Sequence, residues 1–299
     1  MSSTHQDASR LTAWLGGLDR AVIAFSGGVD SSVVAAAAVR ADLSSAIAVT
    51  ADSPSTARWQ INLARQIASE IGIEHQVVRT DEVNRADYRR NDSGRCFHCK
   101  ETLYAALTDI SRRHPAATIV SGTNADDLGD YRPGIEAGKI AGVRTPLAEL
   151  GMGKSTVRAI ARHFDLSNHD LPASPCLASR IAYGTEVTPD RLARVEQAED
   201  WLRARGFVQL RVRLHAGELA RIEVPRGQMP KLLELDRGGE MTRAMQALGF
   251  HYVTIDLQGF ESGSMNRVVV PLGKRSLSSD INEACLLYTS DAADDSKRV

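Results

Sequence analysis

The chain has 299 residues, 43% hydrophobic and 24% charged, with 36 basic and 37 acidic side chains and a formal net charge of -1. These proportions exclude a disordered or low-complexity chain, and a length about twice the usual ~150-residue domain predicts two domains. No run reaches the ~18 consecutive apolar residues of a membrane span, and MSSTHQDASR lacks a basic-then-apolar leader, so a cytoplasmic protein without a membrane partner is expected. The near-neutral balance also argues against a dedicated nucleic-acid binder.

In chain order, residues 21–26 (Ala-Val-Ile-Ala-Phe-Ser) form a short apolar run ending at two glycines, which predicts a buried strand. Residues 31–39 read as a helix and 45–50 as a second strand. Residues 57–71 have helical periodicity stopped by Gly72, and 75–79 give a third strand. A helix containing 100–110 follows, then a fourth strand at 117–120. Strands alternating with helices predict an open parallel sheet with helices on both faces. Residues 144–150 lead into a helix carrying Val157, Ile160 and Ala161. Its Gly151-Met-Gly-Lys154-Ser155 resembles the end of a Walker A loop, but Ala148 stands where the first glycine is required, so the stretch reads as a helix start.

Residues 167–189 are polar and rich in turn formers, including Pro172, Pro175, Gly184 and Pro189, and predict an active-site loop joined to a linker. Thr188-Pro189-Asp190 is an N-cap signature for a helix to Arg205. Residues 208–214 and 219–224 alternate with period two and predict an antiparallel pair, followed by a helix over 229–248 and a strand at 251–257. The expected organisation is a parallel-sheet α/β domain over 1–170, a loop and linker over 171–188, and a smaller α/β substrate-binding or oligomerisation domain over 189–275. Residues 285–295 resemble a translated sequencing-library adapter, so 285–299 are expected to be an artefactual tail and Cys285 is left out of the chemistry.

Between the first strand and its helix stands Ser26-Gly27-Gly28-Val29-Asp30-Ser31-Ser32. The glycines bring backbone N–H groups close to an anion, the hydroxyls of Ser26, Ser31 and Ser32 add donors, and the helix N-terminus adds its dipole. The loop has no lysine. It resembles the PP-loop of the adenylating ATP pyrophosphatases, which cleave ATP between the α and β phosphates. That resemblance implies bound ATP, an Asp30 that helps hold Mg²⁺, and Thr50 and Ala51 as part of an adenine wall. Gly122, Thr123, Asn124, Asp126 and Asp127 follow the fourth strand, where open sheets place ligands. One of the two adjacent aspartates is a candidate for metal or orientation, with Asp127 carried forward, and the other is free to face solvent.

Three further stretches narrow the superfamily: Arg95-Cys96-Phe97-His98-Cys99-Lys100, Pro175-Cys176-Leu177-Ala178-Ser179-Arg180-Ile181, and Arg211-Val212-Arg213. With SGGVDS and SGTNADD they resemble the LarE family, the ATP-dependent sulfur transferases of nickel-pincer nucleotide biosynthesis, from about Leu15 to about Leu272. The resemblance implies adenylation of pyridinium-3,5-biscarboxylic acid mononucleotide, with pyrophosphate released, followed by displacement of AMP by sulfur. AMP makes the carboxylate oxygen a leaving group, and a thiolate can then attack. It implies Cys176 as the sulfur residue, with Arg180 nearby to depress its pKa or hold phosphate, and Ser179, Glu196 and Glu223 at the substrate or a divalent-metal site. Arg211 and Arg213 share one side of a strand, and their forked donors suit a phosphate or carboxylate; the alternative is an ordinary exposed sheet face. Implied partners are the enzyme that makes the biscarboxylate nucleotide, the nickel-inserting enzyme downstream, and further copies of the chain in a homo-oligomer.

Cys96, Cys99 and Cys176 leave several readings open. One branch of the family carries three cysteines held to bind a [4Fe-4S] cluster with one open iron that carries an extra sulfide. In another the cysteine matching Cys176 surrenders its own sulfur and becomes dehydroalanine. A zinc site including His98, a redox pair at Cys96 and Cys99, and inert cysteines are the remaining readings. A PP-loop tRNA thiolase and an ammonia-dependent amidotransferase or synthetase are the competing enzymes. The first requires a basic RNA surface, and the second has no need of Cys176.

Overall fold

Four short strands rich in apolar residues, covered on both faces, build the centre of the molecule. The computed structural model describes residues 3–129, 133–261 and 264–265. The chain opens with α1 (Ser3–Gly16) and β1 (Arg20–Ala24), then α2 (Val29–Arg40), β2 (Ser45–Asp52), α3 (Arg58–Ile71) and β3 (Glu74–Arg79). The short α4 (Ala86–Arg89) precedes α5 (Arg95–Ser111), β4 (Ala117–Ser121), α6 (Pro133–Ile140), α7 (Pro146–Glu149) and α8 (Lys154–His163). The strands form one parallel sheet in the order β3-β2-β1-β4.

Side chains leave the strands on alternate faces. Ala21, Ile23 and Ala48 join one core with residues of α1, α2, α3 and α8, while Val22, Ile47 and Val49 join another with Tyr104, Leu107 and Ile110 of α5. After β3 the chain returns to the other side of β1 to lay down β4. The crevice between the ends of β1 and β4 is therefore the topological switch point, where sheets of this kind place ligands.

A second sheet follows α9 (Pro189–Arg203). It contains β5 (Arg211–His215) and β6 (Leu219–Glu223), then α10 (Met229–Leu235), α11 (Glu240–Ala247) and β7 (Tyr252–Ile255). β5 and β6 are antiparallel as their alternation predicts, but β7 runs parallel to β6 because two helices intervene. The helix expected over 229–248 is split around Gly239, which stands at φ 72°. The sequence reading holds no counterpart of α1 or α6; β5 starts later than 208, β7 is shorter than 251–257, and α5 begins at Arg95, so the CxxC lies inside the helix. Leu192, Val195, Ala198 and Leu202 of α9 pack with both sheet-facing strands and with Leu177 and Ala178, so the loop expected over 171–188 is built into this core. Among the described residues, no helix is long and apolar enough to cross a membrane. The stretch 285–299 with Cys285, the boundary at 275 and the end of the resemblance near Leu272 lie outside the described residues.

Candidate active site

The phosphate loop is held by its own short side chains. Ser31 Oγ accepts from the Ser26 N–H at 3.2 Å and donates to the Gly28 carbonyl at 3.1 Å, and Ser26 Oγ accepts from the Gly28 N–H at 3.2 Å. Gly27 has φ 70°, and a Cβ there would stand 2.8 Å from the Ala64 Cα, so both conformation and space demand glycine. Ser32 is wholly buried and accepts from Asn168 Nδ2 at 2.9 Å; the same amide nitrogen donates to the Gly27 carbonyl at 2.8 Å. Ser26 is the exposed hydroxyl of the three, whereas Ser32 serves as an internal strut. Thr50 is buried against the loop, with its Oγ1 donating to the Phe25 carbonyl at 2.9 Å, and Ala51 beside it is half-buried.

The loop after β4 closes the other wall. A Cβ on Gly122 would lie 2.7 Å from the Ser31 nitrogen, so the two loops touch with no room for a side chain. Thr123 Oγ1 lies 3.2 Å from Ser121 Oγ. Asn124, fully buried, donates from Nδ2 to Asp30 Oδ1 at 3.3 Å and accepts at Oδ1 from the Asp127 N–H at 3.2 Å. Burial raises the Asp30 carboxyl above its ordinary value, the Asn124 hydrogen bond opposes this, and the Asp127 charge adds to it. Lys154 Nζ stands 3.6 Å from Asp127 Oδ1. The two adjacent aspartates divide their work. Asp127 is turned into this cluster, and Asp126 accepts the Lys154 N–H at 2.8 Å, capping α8 rather than being left to solvent alone. The Gly-Lys-Ser stretch is indeed a helix start, with Gly153 as N-cap.

Cys176 lies on a loop that both units grip. The Leu177 N–H donates to the Ser55 carbonyl at 2.8 Å, and Arg95 Nη1 donates to the Ala178 carbonyl at 2.8 Å and to Asn91 Oδ1. Asn91 is fully buried and donates from Nδ2 to the carbonyls of Ile181, Ala182 and Thr185. Ser179 Oγ donates to the Cys176 carbonyl at 2.7 Å. Cys96 is exposed, whereas Cys99 and Cys176 are partly buried against the second core. Burial and then the neighbouring Cys176 push the Cys99 thiol up to about 12. Burial works against the charge of Arg95, and Cys176, Cys96, Tyr88 and Tyr183 together more than offset it.

Arg180 is 2% exposed and pairs with Glu199, Nε to Oε1, at 3.0 Å; it also donates to the carbonyls of Pro175 and Cys176. These bonds brace the loop that carries Cys176. Arg213 pairs with the buried Glu223 at 2.8 Å and reaches the Ser179 carbonyl at 3.2 Å, while Arg221 holds the other Glu223 oxygen at 3.2 Å. Arg211 differs. Among the described residues it has no carboxylate ion-pair partner; it donates to the Leu210 carbonyl and lies over the Phe260 ring. Burial, then Arg180, lowers it to about 10, with Arg213 and Arg203 adding to the effect. A half-buried guanidinium whose cationic neighbours outweigh Glu199 is a receptive place for an anion. Glu196 stands apart, accepting the Arg58 N–H beside a cleft of 370 Å³ that Asp52, Arg79 and Pro189 also line.

Comparison with known proteins bears on the fold and the family. Residues 19–106 match the asparagine synthase family model. NMN synthetase from Francisella tularensis shares the fold, with a TM-score of 0.50 and 19% identity over 68% of this chain and 87% of that one. The uncharacterized protein slr1717 of Synechocystis sp. is 44% identical over 87% of this chain and 96% of its own length. The pyridinium-3,5-bisthiocarboxylic acid mononucleotide synthase of Lactiplantibacillus plantarum is 36% identical over 89% of this chain and 96% of its own. The chain belongs to the LarE family.

The groups implied for a LarE protein can be tested against these side chains. Asp30 and Asp127 fit Mg²⁺: burial and the neighbouring Asp127 disfavour the charge of Asp30 beside a phosphate loop, and a divalent cation would relieve that. The three thiols fit an iron–sulfur cluster in donor chemistry, although among the described residues no group of three His, Cys, Asp or Glu side chains stands ready to hold a metal. Glu223 is committed to Arg213 and Arg221, and Glu196 belongs to no such group. Sequence reading missed Asn91, Asn168 and Glu199 altogether and gave Arg95 no task. Each is a single polar residue whose partner comes from a distant element, and burial alone would have marked them.

Proposed function

We propose that this protein is an ATP-dependent sulfur transferase that converts the carboxylates of pyridinium-3,5-biscarboxylic acid mononucleotide to thiocarboxylates. The carrying observation is the tie between Leu177 and Ser55, which docks the Cys176 loop on the segment that leaves the nucleotide strand β2. The substrate carboxylate oxygen attacks the α phosphorus of ATP and pyrophosphate departs. Loop N–H groups and Ser26 hold the phosphates, Asp30 and Asp127 hold Mg²⁺, and Arg211 takes the substrate's anionic group. Sulfur at the Cys176 loop then meets the acyl carbon, and the C–O bond to AMP breaks with its electron pair leaving on phosphate.

Cys96, Cys99 and Cys176 would hold the [4Fe-4S] cluster, which when bound supplies sulfur at an iron the protein leaves open. The second reading is direct donation from Cys176: Sγ bonds the acyl carbon as AMP leaves, the Cβ–Sγ bond then breaks with its electron pair on sulfur, and loss of the Cα proton leaves dehydroalanine. It is favoured by the unequal exposure of the three thiols, Cys96 being exposed while the other two pack against the core, and by the lack among the described residues of a ready group of three metal ligands. In the proposed division of labour, residues up to 170 adenylate and those from 189 onward bind substrate and assemble copies. The partners are the enzymes that make the biscarboxylate nucleotide and insert nickel into the product, in the cytoplasm.

The test supplies ATP, Mg²⁺ and the biscarboxylate nucleotide to anaerobically purified protein, and follows pyrophosphate, thiocarboxylate, iron, sulfide and intact mass. Pyrophosphate release and thiocarboxylate formation are expected, with C176A keeping the first and losing the second. Bound iron and sulfide with unchanged mass assign the cluster route, while loss of one H₂S from the protein assigns donation from Cys176. No pyrophosphate with this substrate, or tRNA retained through purification, would overturn the reading.

A further inference from the structure

The sulfur loop is tied on both flanks of Cys176 to one short stretch of chain. On the C-terminal flank, the Leu177 N–H donates to the Ser55 carbonyl at 2.8 Å. On the N-terminal flank, Gln60 Nε2 donates to the Ser174 carbonyl at 2.9 Å. The stretch itself is rigid. Arg58 braces it against Asp52 at 2.6 Å and against the carbonyls of Ser53 and Thr56, and Ser55 Oγ is held between Ser53 Oγ and Glu82. Asp52 is the last residue of β2, immediately after the Thr50 and Ala51 wall. Residues 52–60 therefore form a braced link between the place where the nucleotide rests and the place where sulfur is presented.

We propose that Gln60 is a positioning residue for sulfur transfer, setting the Cys176 loop against the adenylated substrate while taking no part in adenylation. This rests on the functional reading above. The two ends of the Gln60 amide have separate jobs. Oε1 accepts the Ala57 N–H at 3.3 Å and caps the start of α3, and Nε2 holds Ser174. Leu177 is held backbone to backbone and would keep its tie in any Gln60 variant, so the Gln60 contact decides how far the loop's leading edge can swing. Displacement of a reacting atom by about an ångström costs up to about a hundred-fold in rate, and a single lost hydrogen bond relaxes rather than frees the loop.

Q60E separates the two jobs, because a carboxylate still caps α3 but presents an acceptor to the Ser174 carbonyl. The full chain is measured for pyrophosphate release, for thiocarboxylate formation and for amide exchange over 173–178. In Q60E, sulfur transfer is expected to fall about ten-fold while adenylation stays within about two-fold, with exchange over 173–178 rising about ten-fold and α3 unchanged. Q60A, which loses both contacts, should show the same transfer defect together with faster exchange at the start of α3. Wild-type transfer and wild-type exchange in Q60E would overturn the proposal while leaving the functional reading intact. So would an equal fall in adenylation and transfer, which would place Gln60 in the nucleotide site instead. A wild-type protein that forms no thiocarboxylate would defeat the functional reading on its own terms, and unchanged exchange in Q60E would still defeat this one.

Discussion

Arg180 and Glu199 form a buried ion pair in which each partner already serves a second structure. Arg180 holds the carbonyls before and at Cys176, and Glu199 also accepts the Val212 N–H at 3.2 Å and Arg203 at 2.6 Å. Burial pushes the Glu199 carboxyl up, but Arg180 and Arg203 outweigh it and hold the group below its ordinary value. Removing one partner strands the other without water, so E199Q should cost about 3–5 kcal/mol in urea unfolding. A group with a lowered folded pKa contributes its stability above the unfolded carboxylate range, and that contribution should vanish as pH falls through the folded value. A loss below about 1 kcal/mol would show that Arg180 finds another partner.

Arg211 should behave in the opposite way. Its charge sits among like charges, so R211A is expected to leave the melting temperature unchanged or raise it while KM for the anionic substrate rises about ten- to a hundred-fold. Thermal unfolding and steady-state kinetics on the same preparation check both halves. Unchanged KM would remove Arg211 from substrate recognition.

The contact between Gly122 and Ser31 allows no methyl group. G122A must push the loop after β4 away from the first turn of α2, with an expected destabilisation of about 1–3 kcal/mol and a loss of about a hundred-fold in pyrophosphate release. Denaturation and a pyrophosphate assay decide it, and near-normal activity would mean that the wall is not needed for catalysis.

Asp30 supplies a pH-dependent test of the cation site. Its raised folded pKa means that stability from this group is present at low pH and lost as pH rises through that value. Mg²⁺ should therefore raise the melting temperature more at neutral pH than in acid. D30N should be at least as stable as wild type without Mg²⁺, lose the Mg²⁺ response, and release pyrophosphate about a hundred-fold more slowly. A D30N protein that still responds to Mg²⁺ would place the cation elsewhere.

The parts of the site that could be read in the sequence are those whose meaning is local. SGGVDS carries its turn, its donors and its helix start within six residues, and Asn124 lies three residues from Asp127. The buried braces were illegible because their partners are remote: Asn168 finds Gly27, Gln60 finds Ser174, and Asn91 finds Ile181. Among the elements, the break at Gly239 had a signal in two adjacent glycines. The early start of α5 had almost none, because Gly94 is a weak cap and no Ser, Thr, Asp or Asn stands in its place. Ala8, Leu11 and Leu15 line the buried face of α1 at helical spacing, a signal the sequence reading left unused.

The near-contact of Gly122 with Ser31 has a bearing on inheritance. The phosphate pocket is assembled from two segments some ninety residues apart in the chain, the first seated where the second lacks a side chain. SGGVDS transplanted alone onto another strand and helix would meet the wrong neighbour. The signature is thus half of a matched pair, and descent has to carry both halves together.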